Sequence, residues 1–329
     1  MTESHSVNVA VIGCGYWGWN LVRNFYEAGV LRMVCDTSAE ARSFVSNQYP
    51  AIRIKEDLAA AFEDESINAI AIATPASTHV ELAMAALEAG KDVYVEKPLA
   101  LDMQEGEKLV AEAERLGRIL MVGHLLWYHP VVLKLKTLID SGVLGKLRYI
   151  TSHRLNFGKV RQEENVLWSF APHDISVILG LVGEMPEVHS CTGGHYLNDE
   201  VADVTSTELR FPSGVRAHLF MSWLHPFKEQ KLVVVGDKKM AVFDDVEKDA
   251  KLVLYGHNVQ WEKGVPVAVK SAGESVDFDR SEPLRNEVDA FVRAIVSKQA
   301  PYTDGREGLR VLKVLKDCQA MLDGEVRVG

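Results

Sequence analysis

The chain has 329 residues, 47% hydrophobic and 25% charged, enough for two globular domains with substantial cores. Its 36 basic and 46 acidic side chains leave a net charge of −10, which argues against nucleic acid or an anionic membrane surface as a partner, since both attract basic proteins. No stretch approaches the roughly 20 apolar residues that cross a bilayer, the polar opening Met1–Ser6 lacks a signal-peptide pattern, and Cys14, Cys35, Cys191 and Cys318 have no metal-like spacing, so a cytoplasmic protein with reduced thiols and no metal centre is expected.

The first third alternates apolar strands with helices. The run Val7–Ile12 is a strand, ended by Gly13-Cys14-Gly15-Tyr16-Trp17-Gly18, which turns into a helix. Further strands are predicted at Val30–Asp36, Ile52–Ile54, Ala69–Ala73, Asp92–Val95 and Ile119–Gly123. Between them Ser38–Tyr49, Leu58–Asp64, Thr78–Ala89 and Asp102–Leu116 have helical spacing, with Thr78 and Asp102 as N-caps and Gly90 and Gly117 as stops. Such alternation predicts an α/β fold with a doubly wound parallel sheet, a Rossmann domain over residues 1–123.

Beyond Gly123 the pattern changes. A helix over Pro130–Ser141 precedes a strand over Lys146–Leu155 and a helix starting near Pro172. Strand-like runs follow at 186–196, 203–211, 214–224, 230–236, 239–244 and 251–255, with Phe211-Pro212-Ser213-Gly214-Val215 as the clearest hairpin turn. Residues 256–281 read as a surface loop, and helices over Pro283–Lys298 and Arg306–Leu322 close the chain. Residues 124–329 are therefore expected to form an α+β domain with a large, mostly antiparallel sheet that binds substrate and packs subunits together.

The chemistry begins at the glycine turn. Gly13 permits the turn, Gly15 lets the backbone approach a pyrophosphate, and Gly18 lets helix and strand pack closely. Asp36 ends the next strand, where a carboxylate accepts hydrogen bonds from an adenosine ribose. Ala71-Ile72-Ala73-Thr74-Pro75 and Val93-Tyr94-Val95-Glu96-Lys97-Pro98 end two further strands, and the carboxyl ends of parallel strands form the ligand crevice. His79, just after the first of these, reads either as a cofactor neighbour or as an exposed helix-start residue. Lys97 at a proline-braced strand tip can donate to a substrate hydroxyl and favour its alkoxide as hydride leaves; the alternative is a surface lysine.

Gly13–Gly18, Thr74-Pro75, Glu96-Lys97-Pro98 and the C-terminal sheet pattern together resemble the Gfo/Idh/MocA family of NAD(P)-dependent oxidoreductases, over essentially the whole chain. That resemblance implies cofactor contacts at Gly13, Gly15, Tyr16, Trp17, Gly18, Asp36, Thr37, Thr74, Pro75, His79, Glu96, Lys97 and His124, and a catalytic role for Lys97. NAD is the expected cofactor, because Thr37 follows Asp36 where NADP-preferring relatives often place arginine. The family's second signature, ordinarily D-x-G-x-H-x-x-D, corresponds here to Ser169-Phe170-Ala171-Pro172-His173-Asp174-Ile175-Ser176. His173 falls on the catalytic histidine, while Ser169 and Ser176 replace the usual aspartates. Asp174 is a poor partner for it, since adjacent helical residues point apart. Trp127 stands where many relatives carry arginine.

Residues 131–165 hold seven basic side chains, most of which read as a solvated face. Lys159 and Arg161 differ: they follow Gly158 and precede His173, and a glycine-flanked basic loop suits a diphosphate, which arginine grips bidentately. The stretch Asn156–Ser176, with Asn165 and Trp168, and the stretch Ser222–Lys231, with Lys228, resemble a subgroup of the family that oxidises UDP-N-acetyl-hexosamines at C3. Those bacterial enzymes prepare 3-oxo nucleotide sugars for a PLP aminotransferase, feeding lipid A or O-antigen synthesis. The resemblance implies UDP-N-acetylglucosamine or its C6 uronate as substrate, contacted by Lys159, Arg161, Asn165, Trp168, His173 and Lys228, in a homodimer or homotetramer. The alternatives are another sugar or polyol dehydrogenase of the family, and a non-catalytic NAD-binding regulator.

Overall fold

The computed structural model describes residues 7–158, 160–162, 164–197 and 199–324. These fall into two compact units. The first runs to Tyr128 and includes Ser281–Leu312; the second comprises His129–Arg280 and the residues from Lys313 onward.

Among the described residues of the first unit, β1 (Val9–Ile12), β2 (Leu31–Cys35), β3 (Arg53–Lys55), β4 (Ala69–Ile72), β5 (Asp92–Glu96) and β6 (Leu120–Gly123) form one parallel sheet in the order β3-β2-β1-β4-β5-β6. The order reverses between β1 and β4, so the ligand crevice of such a sheet opens at their carboxyl ends. Most of the strands are apolar on both faces because helices cover both: α1 (Gly18–Glu27), α2 (Ala39–Gln48), α3 (Ala59–Glu63), α4 (His79–Glu88) and α5 (Met103–Leu116). Asp102 caps α5 by accepting from the Gln104 and Glu105 backbone N–H groups, and Gly117 ends it at a φ of 63°. Thr78 does not cap α4 as expected. Its hydroxyl instead donates to the Pro75 carbonyl at 2.8 Å, closing a short 3₁₀ turn over Ala76–Thr78.

In the second unit α6 (Pro130–Asp140) precedes β7 (Leu147–Phe157), the centre of an eight-stranded sheet. The other strands are β8 (Glu187–Gly194), β9 (Val204–Arg210), β10 (Arg216–Ser222), β11 (Leu224–Gly236), β12 (Met240–Asp244), β13 (Leu252–Tyr255) and, beyond the small hairpin β14 (Asn258–Glu262) and β15 (Val265–Val269), β16 (Gly273–Ser275). Their order is β16-β13-β12-β11-β7-β10-β9-β8, antiparallel throughout except where β7 and β10 run parallel. Residues 256–281 are thus not the simple loop predicted. Their strands are short and largely exposed, so no buried face marked them in the sequence.

One face of the sheet is covered by α7 (Val166–Val182), which buries apolar side chains nearly all round. It starts six residues before the predicted start at Pro172. Asn165 caps it by accepting from the Trp168 N–H at 3.1 Å. Pro172 sits inside the helix, where it removes the N–H that would bond Trp168's carbonyl without ending the helix. Two helices close the chain, α8 (Pro283–Ser297) and α9 (Gly305–Gly324). The predicted boundary at Gly123 gives way to one after Tyr128, and residues 281–312 return to the first unit, where Phe291 of α8 packs edge-on against Phe25 and Tyr94. A helix returning from far along the chain leaves no local pattern. Among the described residues no helix is long and apolar enough to cross a membrane.

Candidate active site

In the first unit the glycine turn lies between β1 and α1. A Cβ on Gly13, whose φ is 88°, would stand 2.8 Å from the Ala73 carbonyl oxygen, and one on Gly18 would stand 2.2 Å from the Gly13 oxygen. Both positions therefore require glycine. A Cβ on Gly15 would meet nothing within 4 Å, so this glycine keeps an open approach rather than close packing. No side chain caps α1; the Trp19 and Asn20 N–H groups donate to the Gly15 and Trp17 carbonyls, and the positive end of the helix lies beside exposed Tyr16 and part-exposed Trp17, where it favours an anion. An open glycine cradle at an uncapped helix N-terminus fits a dinucleotide pyrophosphate.

Asp36 holds that turn in place. Its carboxylate accepts from the Cys14 N–H at 2.7 Å and the Ser38 N–H at 2.8 Å, leaving two of its roughly four lone-pair positions for a ribose. Beside it, Arg42 donates to the Asp36 and Thr37 carbonyls and pairs with Glu56. This arginine sits close to Thr37 without following it in sequence, so the dipeptide gave no sign of it. Burial and the neighbouring Asp36 push the Cys14 thiol up to about 12, an inert thiol. Asp36→Ala is expected to weaken NAD binding about tenfold or more, some 1.4 kcal/mol, because the turn loses both anchors and the ribose its acceptor. Fluorescence titration with NAD measures this, and an unaltered Kd would contradict it.

At the tips of β4 and β5, His79 is buried rather than an exposed helix start. Its Nδ1 lies 2.8 Å from the Pro98 carbonyl oxygen and its Nε2 3.0 Å from that of Thr74. Both oxygens only accept, so the imidazolium would satisfy both and the neutral ring one. Burial lowers the pKa against the pull of the two carbonyls, and the Lys97 charge lowers it further. His79 thus fastens the Thr74-Pro75 loop to Lys97-Pro98. Thr74 Oγ1 meets Thr78 Oγ1 at 2.7 Å within the same loop. Glu96 is buried and accepts from Trp17 Nε1 at 2.6 Å, joining the glycine turn to the end of β5. Half-buried Lys97 follows directly, before a cis bond to Pro98. His124 is buried too, its Nδ1 2.7 Å from Glu307 of α9.

In the second unit His173 is half-buried on α7. Asp174 turns elsewhere: it accepts from Ser152 Oγ at 2.7 Å and from Arg154 Nε at 2.6 Å, bolting α7 to β7. Asn165 and Trp168 both donate to Gln319 Oε1 of α9, at 2.8 and 2.9 Å, so they brace the start of α7 as well as facing the loop before it. Arg161 pairs with Glu164, while Lys159 lies outside the described residues. Lys228 is exposed in the bulge between the Leu224–Phe157 and Glu229–Leu155 register pairs. The sheet register thereby brings Lys228 to the same end of the second unit as Phe157, from which the chain leads through Arg161 into Asn165.

Sequence reading missed several polar residues at that end. Asp203 takes the Tyr196 and Leu197 N–H groups on Oδ2, and its Oδ1 is buried without a hydrogen-bond partner among the described residues. Trp223 Nε1, Thr205 Oγ1 and His195 Nδ1 are in the same condition. The one sequence signal is a pair of residues, Asp203 and Trp223, flanking otherwise regular strands.

The sequence matches the family described as "Oxidoreductase family, NAD-binding Rossmann fold" over residues 7–124 and the "GFO/IDH/MocA C-terminal domain" over residues 132–242. It is 27% identical to a UDP-N-acetylglucosamine 3-dehydrogenase of Acidithiobacillus ferrooxidans over 93% of this chain and 94% of that protein. A solved structure of the A. ferrooxidans enzyme superposes with a TM-score of 0.85 at 25% identity, covering 96% of this chain and 97% of the other. A 2,7-anhydro-N-acetylneuraminate hydratase of Mediterraneibacter gnavus is 30% identical over 71% of this chain and 66% of its own length. The scyllo-inositol 2-dehydrogenase (NAD(+)) of Bacillus subtilis is 28% identical over 68% and 69% respectively. With its glycine cradle, its parallel sheet and its second, mostly antiparallel sheet, the chain belongs to the Gfo/Idh/MocA family of NAD-binding oxidoreductases.

Proposed function

We propose that this oxidoreductase is an NAD-dependent sugar-nucleotide dehydrogenase that oxidises the C3 hydroxyl of a UDP-N-acetyl-hexosamine, with UDP-N-acetylglucosamine as the substrate, to the 3-oxo sugar. The observation that carries this reading is the likeness to the A. ferrooxidans enzyme along nearly the whole of both chains. Gly13, Gly15, Gly18, the N-terminus of α1 and Asp36 would hold NAD, which when bound supplies the hydride acceptor. Lys97 donates to the C3 oxygen and stabilises negative charge on it as the C3 hydride leaves. His173 takes the hydroxyl proton, directly or through water. Lys159, Arg161 and Lys228 would hold the diphosphate, to which Arg161 must turn from Glu164. The ketone so formed is the kind of carbonyl that a PLP aminotransferase consumes, so lipid A or O-antigen amino-sugar synthesis in the cytoplasm is the proposed setting. Tyr149 and Phe220, exposed on the large sheet, suit packing between copies in a homodimer or homotetramer.

The test is steady-state NADH production with UDP-N-acetylglucosamine, its uronate and free sugars. UDP should compete with the substrate. The Arg161→Ala, Lys228→Ala pair should raise KM about tenfold, roughly 1.4 kcal/mol, with kcat little changed. The likeness to scyllo-inositol 2-dehydrogenase favours a second reading, a polyol dehydrogenase. Turnover of inositols, with no inhibition by UDP, would replace the first reading with the second.

A further inference from the structure

Behind Lys97, three buried side chains of the first unit share too few protons to be what they look like. Tyr94 of β5 is fully buried, and its Oη lies 3.1 Å from Glu96 Oε1 and 3.0 Å from Glu287 Oε2. Both neighbours are carboxyl groups, yet a phenol has one proton and can donate to only one of them. The other contact is a hydrogen bond only if that carboxyl group carries a proton and donates it to Tyr94.

The surroundings say which carboxyl it is. Burial raises the Glu96 carboxyl above its usual range, but Glu96 accepts a second hydrogen bond from Trp17 Nε1 at 2.6 Å, and the Lys97 charge and N–H pull it back towards the anion. Glu287, on α8, has neither partner. It is 0% exposed, its Oε1 has no hydrogen-bond partner among the described residues, and the charge it feels most is that of Glu96, which repels it. Tyr128 also feels the Glu287 carboxyl. The elements around Tyr94 otherwise offer aromatic rings, Phe25 of α1 and Phe291 of α8. An uncompensated buried anion is far costlier than a neutral acid. The space is also fitted to this chain of groups: a Cβ on Gly123 of β6 would stand 2.7 Å from Tyr94 Oη and 3.0 Å from the Glu96 carboxyl.

We propose that Glu287 is a permanently protonated positioning residue, which donates to Tyr94 so that Tyr94 donates to Glu96 and fixes Glu96 as the anion beside Lys97. The hydrogen bonds then run one way, from Glu287 through Tyr94 to Glu96, with Trp17 converging on the same carboxylate oxygen. A fixed anion next to Lys97 favours its ammonium form, the form that donates to a substrate oxygen. This last step rests on the role proposed for Lys97; the protonation of Glu287 does not.

The primary test is therefore free of turnover. Infrared spectra of the protein without cofactor or substrate should show a protonated-carboxyl band that persists to pH 8 and disappears in Glu287→Gln. No such band, or a band that survives Glu287→Gln and disappears in Glu96→Gln, would overturn the assignment. Stability gives an independent readout. A carboxyl whose folded pKa is raised keeps a proton that the unfolded chain releases above about pH 4.5, so its contribution falls as pH rises. Glu287→Gln keeps the donor and has no proton to lose. Its Tm should match the native protein's near pH 5 and exceed it increasingly towards pH 8; a gap that stays constant or reverses sign would contradict the proposal. For the coupling to Lys97, Tyr94→Phe should shift the alkaline limb of the kcat profile to lower pH, and Glu287→Gln should restore what Glu287→Leu loses. If the band is present and neither change follows, the proton stands and the role of Lys97 falls.

Discussion

Lys97→Ala is expected to lower kcat by about 10²–10⁴-fold, the usual worth of a positioned proton-handling group, while NAD affinity stays close to that of the native protein. The separation follows from where the parts sit. The proposed pyrophosphate cradle is Gly13, Gly15, Gly18 and the start of α1, and the proposed ribose acceptor is Asp36, fixed by the Cys14 and Ser38 N–H groups. None of these depends on the lysine side chain. Lys97 instead stands at the carboxyl end of β5, held from behind by Glu96 and followed by Pro98, whose carbonyl is fastened to His79. A group so placed acts on what approaches the crevice rather than on the sheet beneath it. Lys97→Arg keeps the charge but replaces a compact ammonium with a planar fork, so it should recover little of the loss. Stopped-flow or steady-state NADH absorbance with UDP-N-acetylglucosamine measures kcat, and tryptophan fluorescence, with Trp17 beside the site, measures NAD binding. Full turnover in Lys97→Ala would remove the lysine from the mechanism; lost NAD binding would make it a cofactor ligand instead.

What could be read from the sequence was what depends on neighbours in sequence. The glycine turn and Asp36 lie within forty residues of one another, and the strand-helix alternation is a pattern of near neighbours. Asp102 capped its helix because capping is a contact over two or three residues. Thr78 failed as a cap because another local partner, the Pro75 carbonyl, took its hydroxyl. Pro172 does not start its helix as its type suggests, because a proline inside a helix is tolerated when packing on nearly every side of that helix outweighs one lost hydrogen bond. Apart from these local misses and the exposed hairpin β14–β15, the unreadable parts are long-range. Glu287 reaches Tyr94 across 193 residues, His124 reaches Glu307 across 183, and Asn165 reaches Gln319 across 154. Of the proposed substrate residues, Arg161 is marked in the sequence by its charge, which the structure shows already engaged by Glu164. The same limit hid Asp174's partners, since nothing near it in sequence announces a largely buried arginine.

That arginine gives the second large expectation: Asp174→Ala should destabilise the protein by about 3–5 kcal/mol, the cost of breaking a buried ion pair by removing one partner. Asp174 is 3% exposed and binds Ser152 Oγ through one oxygen and Arg154 Nε through the other. Removing it strands the Arg154 guanidinium between sheet and helix. Asp245, whose charge Arg154 also feels, is already committed to Lys251 at 2.6 Å and to His129 at 3.5 Å. Asp174→Asn keeps an acceptor for Ser152 and loses only the charge, so it should cost less than alanine. Replacing both members, Arg154→Met with Asp174→Leu, removes the stranded charge and should recover most of the loss, because a buried pair contributes little net over well-packed apolar groups. Denaturant unfolding of the four proteins measures this order. If the double variant is as unstable as Asp174→Ala, the cost lies in helix packing rather than in an orphaned charge. The expectation also bears on the reaction, because Asp174 is the rivet through which β7 fixes the rotation of α7, and the next residue back along that helix is His173. The double variant should regain stability without regaining full kcat, since methionine and leucine can fill the space but cannot fix the helix by directional bonds.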